Sequence, residues 1–132
     1  MISPPEIVQA PDSRTVDYRV REALKFMEAH FAEPLTVAEI ARRVGISRRR
    51  LEDLFRRDTG LTPLRTLGVM RLREAERLLS STQLSVKEVA ARVGFTGVDL
   101  SHFRRRFMAF SGATPRRYRE ASRLEELRPD PR

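Results

Sequence analysis

A chain of 132 residues, 40% hydrophobic and without Trp, suffices for one compact domain or two very small ones, with a core of Leu, Val, Ile, Ala and Phe. A net charge of +8, from 26 Lys plus Arg against 18 Asp plus Glu, points to an acidic partner: nucleic acid most often, otherwise a membrane surface. Zero cysteines exclude disulfides, thiol catalysis and Cys-ligated zinc. No apolar run approaches the ~18 residues of a membrane span, and the N-terminus lacks a secretory pattern, so the expected location is cytoplasmic.

Residues 1–16 carry Pro4, Pro5 and Pro11 without periodicity and read as a flexible tail ahead of a domain over 17–124. From Asp17, an apolar stripe of Val20, Ala23, Leu24, Met27 and Phe31 predicts a helix closed by Pro34. Thr36 with Glu39 three positions on forms a capping box, each side chain serving a free N–H at the other end of the turn, and Ser85 with Glu88 repeats it. Pro63 opens a helix over 63–80 whose apolar face is Leu72, Ala75, Leu78 and Leu79. Thr114-Pro115 starts a last helix reaching about Leu124, and residues 125–132 read as a fraying tail. No strand pattern appears, so the expected class is all-α.

The segment 39–47, EIARRVGIS, returns at 88–96 as EVAARVGFT. In the first copy, Val37, Ile40, Val44, Ile46, Leu51, Leu54 and Phe55 are the apolar positions. Ala41 permits close helix approach. Gly45 supplies a left-handed turn, and Ser47 caps the second helix. This pattern describes a helix-turn-helix over 36–57, and its second copy, over 85–109, keeps Val86, Val89, Ala90, Val93, Gly94 and Phe95 in step. An ordinary helical hairpin shares the spacing of one copy. Two copies, each followed by an Arg-rich segment in a basic chain, favour DNA.

These words resemble the DNA-binding domain of the AraC/XylS family of bacterial transcription regulators. The resemblance rests on LTVAEIARRVGIS at 35–47, RLREAERLL at 71–79, SVKEVAARVGFT at 85–96, SHF at 101–103 and GATPRRYR at 112–119. It spans about residues 17–120 in order and spacing. It implies seven helices, arranged as two helix-turn-helix subdomains joined by a long linker helix. It further implies a monomer that inserts two recognition helices into successive major grooves of double-stranded DNA. Family habit implies transcription activation.

By that resemblance the first recognition helix runs from about Arg48 to Arg57. Leu51, Leu54 and Phe55 face inward and Arg48, Arg49, Glu52, Asp53 and Arg56 outward. Arg49, Glu52 and Asp53 then look onto base edges: Arg49 suits guanine O6 and N7, and Glu52 a cytosine amino group. Arg48 and Arg50 suit phosphates. The acids have a second reading as a solvated face, Glu52 paired with Arg56 and Asp53 with Arg57. Asp53 departs from the Arg common in the family.

In the second unit the repeat offset grows by three residues between Thr96 and Phe107. One register lengthens the turn, makes Asp99 the cap, and turns Ser101, His102, Arg104 and Arg105 outward with Phe103 and Phe107 inward. The other lengthens the helix, places Leu100 in the core and moves the base-reading set toward Val98 and Asp99. The free N–H groups at Thr36 and Ser85 are further phosphate sites. His30 reads as structural, no metal site or cofactor is expected, and no enzymatic motif is present.

The competing function is a helix-turn-helix protein-interaction module with weak or non-specific DNA binding, in contact with RNA polymerase for example. Residues 1–16 offer no room for an effector domain, so no small-molecule site is expected in the chain. It is either a stand-alone regulator or the C-terminal part of a longer one.

Overall fold

A computed structural model describes residues 16–97 and 99–129, and among these there are seven helices and no strand. They are α1 (Tyr18–His30), α2 (Val37–Arg43), α3 (Arg48–Thr59), α4 (Pro63–Ser81), α5 (Val86–Arg92), α6 (Leu100–Ser111) and α7 (Pro115–Glu126). The chain divides into two compact units between Arg71 and Leu72, inside the continuous helix α4. Residues 1–15, nearly all of the expected N-terminal tail, and residues 130–132, the last three of the expected C-terminal one, lie outside the described residues.

In the first unit, Asp17 caps α1 by accepting from the Arg19 N–H at 2.8 Å. The expected stripe of Val20, Ala23, Leu24 and Met27 is buried, and the helix stops at His30, ahead of Pro34. The capping box at Thr36 is formed in full: Oγ1 accepts from the Glu39 N–H at 3.1 Å, and the Glu39 carboxylate accepts from the Thr36 N–H at 3.0 Å. Gly45 turns the chain at φ +79°, where a Cβ would be strained, and the Ile46 N–H then returns to the Ala41 carbonyl at 3.1 Å. Ser47 caps α3 through the Arg50 N–H. These local devices bring Met27, Ile40, Leu51, Leu54 and Phe55 into one core, completed by Leu67 and Met70 from the first half of α4. Burying Phe55 alone contributes about 1.5–3 kcal/mol. Val16, assigned to the tail by sequence, is 6% exposed and belongs to this core. A lone apolar residue ahead of the cap gave no periodic signal.

The second unit repeats the plan. Leu72, Ala75, Leu78 and Leu79 of α4 pack with Val89, Ala90, Val93, Phe103 and Phe107. Edge-to-face rings extend this core, Phe103 to Phe95 at 5.0 Å between centroids and Phe107 to Tyr118 at 5.6 Å. The extra length precedes α6: Gly97 is at φ +74°, and Asp99 caps α6 by accepting from the Ser101 N–H at 3.1 Å, while Val98, the other candidate base reader, lies outside the described residues. The longer-turn register is therefore the one adopted. Leu100 is nonetheless half-buried against the core. As the first helical residue its side chain leans back over the turn, so both registers give it an apolar environment. Helix α4 extends to 19 residues, and α7 runs to Glu126, two positions into the expected tail.

Candidate nucleic-acid interface

Helix α3 buries Leu51, Leu54 and Phe55. That leaves Arg48, Arg49, Arg50, Asp53 and Arg56 exposed and Glu52 half-buried. The expected acid pairings do not form. Glu52 faces Arg48, with 3.6 Å between Oε2 and Nε. Arg57 turns away to Asp58 at 2.8 Å and reaches Asp17 at 4.0 Å. The reason is burial: the Asp58 side chain is only 3% exposed, so its charge requires a cation more than exposed Asp53 does. The Arg57 guanidinium holds the Asp58 carboxyl below the usual carboxylate range, and Arg19 does the same more strongly to Asp17. Among the described residues Arg49, Arg50, Asp53 and Arg56 make no ion pair, so these four side chains need release no ionic partner to meet a ligand.

Helix α6 buries Phe103 and Phe107 and exposes Ser101, Arg104, Arg105 and Arg106. His102 is half-buried, its ring 6.1 Å from that of Phe95, which leaves it at the edge of the face. Arg106 and Met108 were not among the residues singled out from sequence. Arg106 is exposed, and Met108, 48% exposed, stands one turn beyond Arg104 and Arg105. Helical spacing from Ser101 would have found Met108, since 101, 104, 105 and 108 form one stripe. The exposed face of α6 contains no acid at all, and among the described residues its three arginines have no ion-pair partner.

Matched through Phe55 and Phe107, the two helices place Glu52 and Asp53 where the second unit has Arg104 and Arg105. The same two outward positions thus carry acceptors in one unit and donors in the other.

Thr36 and Ser85 stand at helix starts where the capping-box carboxylates of Glu39 and Glu88 already accept backbone N–H groups. The Ser85 N–H draws the Glu88 carboxyl below its usual range. An anion arriving at either helix start meets a fixed negative charge, which weakens the attraction of the helix end. No helix among the described residues is long and apolar enough to cross a membrane.

A helix-turn-helix domain family model matches residues 40–121. The arabinose operon regulatory protein of Escherichia coli K12 is 35% identical over 105 residues, 79% of this chain and 35% of that protein. The chain spans a quarter to two-fifths of the length of such curated relatives. The DNA-binding domain of the global transcriptional factor AdpA, solved with a target DNA, superposes with a TM-score of 0.77 at 33% identity, over 84% of this chain and 98% of that one. A regulator with an AraC-type DNA-binding domain from Chromobacterium violaceum gives 0.74 at 34% identity, over 80% of this chain and 92% of that one.

Proposed function

This chain belongs to the AraC family of helix-turn-helix DNA-binding domains, and from that premise we propose that it is a sequence-specific double-stranded DNA-binding transcription regulator, an activator like relatives such as RhaS. It acts in the cytoplasm as a monomer, because each unit carries a recognition helix of its own. RNA polymerase is the second partner that activation requires.

The observation carrying this reading is the inversion at matched positions of α3 and α6. Arg104 and Arg105 donate to guanine O6 and N7, and Met108 offers an apolar contact to a thymine methyl. Glu52 and Asp53 accept from the amino groups of cytosine or adenine, beside Arg49 on guanine. Arg48, Arg50, Arg56 and His102 hold phosphates or the edge of the site, and Ser101 sits at the base-facing start of α6. Thr36 and Ser85 contribute weaker phosphate contacts through the first-turn N–H groups that the capping boxes leave. Two units with opposite donor and acceptor sets read unlike half-sites, so the operator is asymmetric and the protein binds it in one orientation.

Selection of bound duplexes from a random DNA pool at physiological salt tests this. Two different conserved blocks, about one helical turn apart (~10 base pairs), are expected. Two identical blocks would refute the asymmetric reading. A single block would mean that one unit alone reads bases, and no enrichment would overturn sequence-specific regulation in favour of an interaction module.

A further inference from the structure

A second surface in the first unit takes no part in the proposed reading of DNA. A cleft of about 620 Å³ runs between the outer face of α1 and the C-terminal end of α2. None of the candidate DNA-contacting residues lines it. Its base is Phe26, with the His30 ring 4.6 Å away on one side and the Arg43 guanidinium 5.1 Å above the ring. Arg43 is held there by cation–π attraction to the ring face. Tyr18, 64% exposed, stands at one end. Lys25 and Arg42 border the cleft, both exposed and, among the described residues, without an ion-pair partner. Glu22 is the only carboxylate in the lining.

We propose that this cleft docks an acidic peptide segment of a protein partner, with an aromatic or leucine side chain anchored on Phe26 and carboxylates meeting Lys25, Arg42 and Arg43. Three features select that occupant. The cations outnumber the single acid, so charge complementarity calls for an anion. The lining combines them with an aromatic floor, the arrangement that seats an apolar anchor within a charged rim. The recess admits a flexible chain, whereas a stiff duplex backbone touches convex or flat surfaces and would bring its phosphates onto Glu22. None of the residues proposed to contact DNA lines the cleft, so the proposal has partner and DNA bound together.

The experiment pans a library of random peptides of about twelve residues on the full chain held on duplex DNA. Recovered peptides are expected to be rich in Asp and Glu around a Phe, Trp or Leu. Their affinity should fall about tenfold on the variant carrying Lys25→Gln and Arg42→Gln, with duplex affinity changed less than about threefold. Both side chains are exposed and unpaired, so the variant retains its fold, which circular dichroism verifies. Peptides without acidic enrichment, or acidic peptides that bind the variant equally well, would overturn the proposal. So would peptides displaced by excess duplex, or a tenfold loss of duplex affinity in the variant, either of which would assign the cleft to DNA phosphate.

Discussion

The Arg71 guanidinium donates from Nε to the Phe31 carbonyl at 2.6 Å, and its Nη2 reaches the Glu33 carbonyl at 2.8 Å. Arg119 repeats the arrangement in the second unit, donating to the carbonyls of Leu79 and Leu84. In each unit an arginine on the helix after the recognition helix ties down the end of the helix that precedes the helix-turn-helix. Terminal carbonyls lack intrahelical donors, and a guanidinium satisfies two at once. The repeated structural unit is therefore larger than the repeated sequence motif.

Arg71→Ala should destabilise the first unit by about 1.5–3 kcal/mol, since a charged donor is lost and the Phe31 carbonyl loses its partner, while the Glu33 carbonyl keeps only the Leu35 N–H. Arg71→Lys should recover only part of this, because an ammonium lacks the planar fork. Hydrogen exchange locates the effect: α1 and α2 amides should lose protection. Arg119→Ala should act instead on the end of α4 and on α5.

Arg105→Ala should weaken binding to the preferred duplex by about 1–3 kcal/mol and relax selectivity at one base position. Asp53→Asn should act in the opposite sense on random duplex, tightening it by removing a carboxylate from the DNA face, while reducing discrimination at the block read by α3. Fluorescence anisotropy on matched and single-mismatch duplexes measures both. An Arg105→Ala protein with unchanged affinity for every duplex would remove that residue from the interface.

Binding should fall steeply with salt, because cations leave the phosphates on association. Arg50→Gln, at a phosphate-facing position, should lower the slope of log K against log salt by about 1 and weaken all sequences alike. Glu39→Gln keeps the capping-box geometry and removes a charge from the start of α2, so its duplex affinity should rise slightly and uniformly.

Acid should affect the two units differently. Asp17 and Asp58 are held below their ordinary range in the folded chain, chiefly by hydrogen bonds from Arg19 and Arg57 respectively. Their contribution is complete above the unfolded carboxylate value of about 4 and is lost as pH falls through the folded values. Asp58→Asn should therefore cost stability at neutral pH and flatten the acid limb of the first unit. Burial raises the Glu76 carboxyl in the second unit. A raised carboxylate costs stability above its unfolded value, so Glu76→Gln should stabilise at neutral pH, with the gain vanishing below about pH 4. Urea titrations monitored by residue-resolved NMR at several pH values separate the two.

By itself the sequence determined the features whose parts lie within a few residues of one another. The capping boxes at Thr36 and Ser85 need only two side chains three positions apart, and the left-handed turn needs only Gly45. The apolar stripes follow from helical periodicity, so the inward set of α3 could be read from spacing, whereas the count of seven helices came from the family resemblance. Ser101, Arg104 and Arg105 could be placed outward only after a register was chosen, and the structure chose it by capping α6 with Asp99. Tertiary structure alone decided the partners of Arg57, Arg71 and Arg119. Arg57 has an acid four residues back on its own helix, yet it turns to Asp58 and Asp17, because folding buries Asp58 and brings Asp17 to it across 41 positions. Arg71 and Arg119 likewise find carbonyls roughly forty positions away. Spacing along the chain carries helix periodicity and caps, whereas the choice among competing ionic partners follows the cost of burying charge, which exists only once the core has formed.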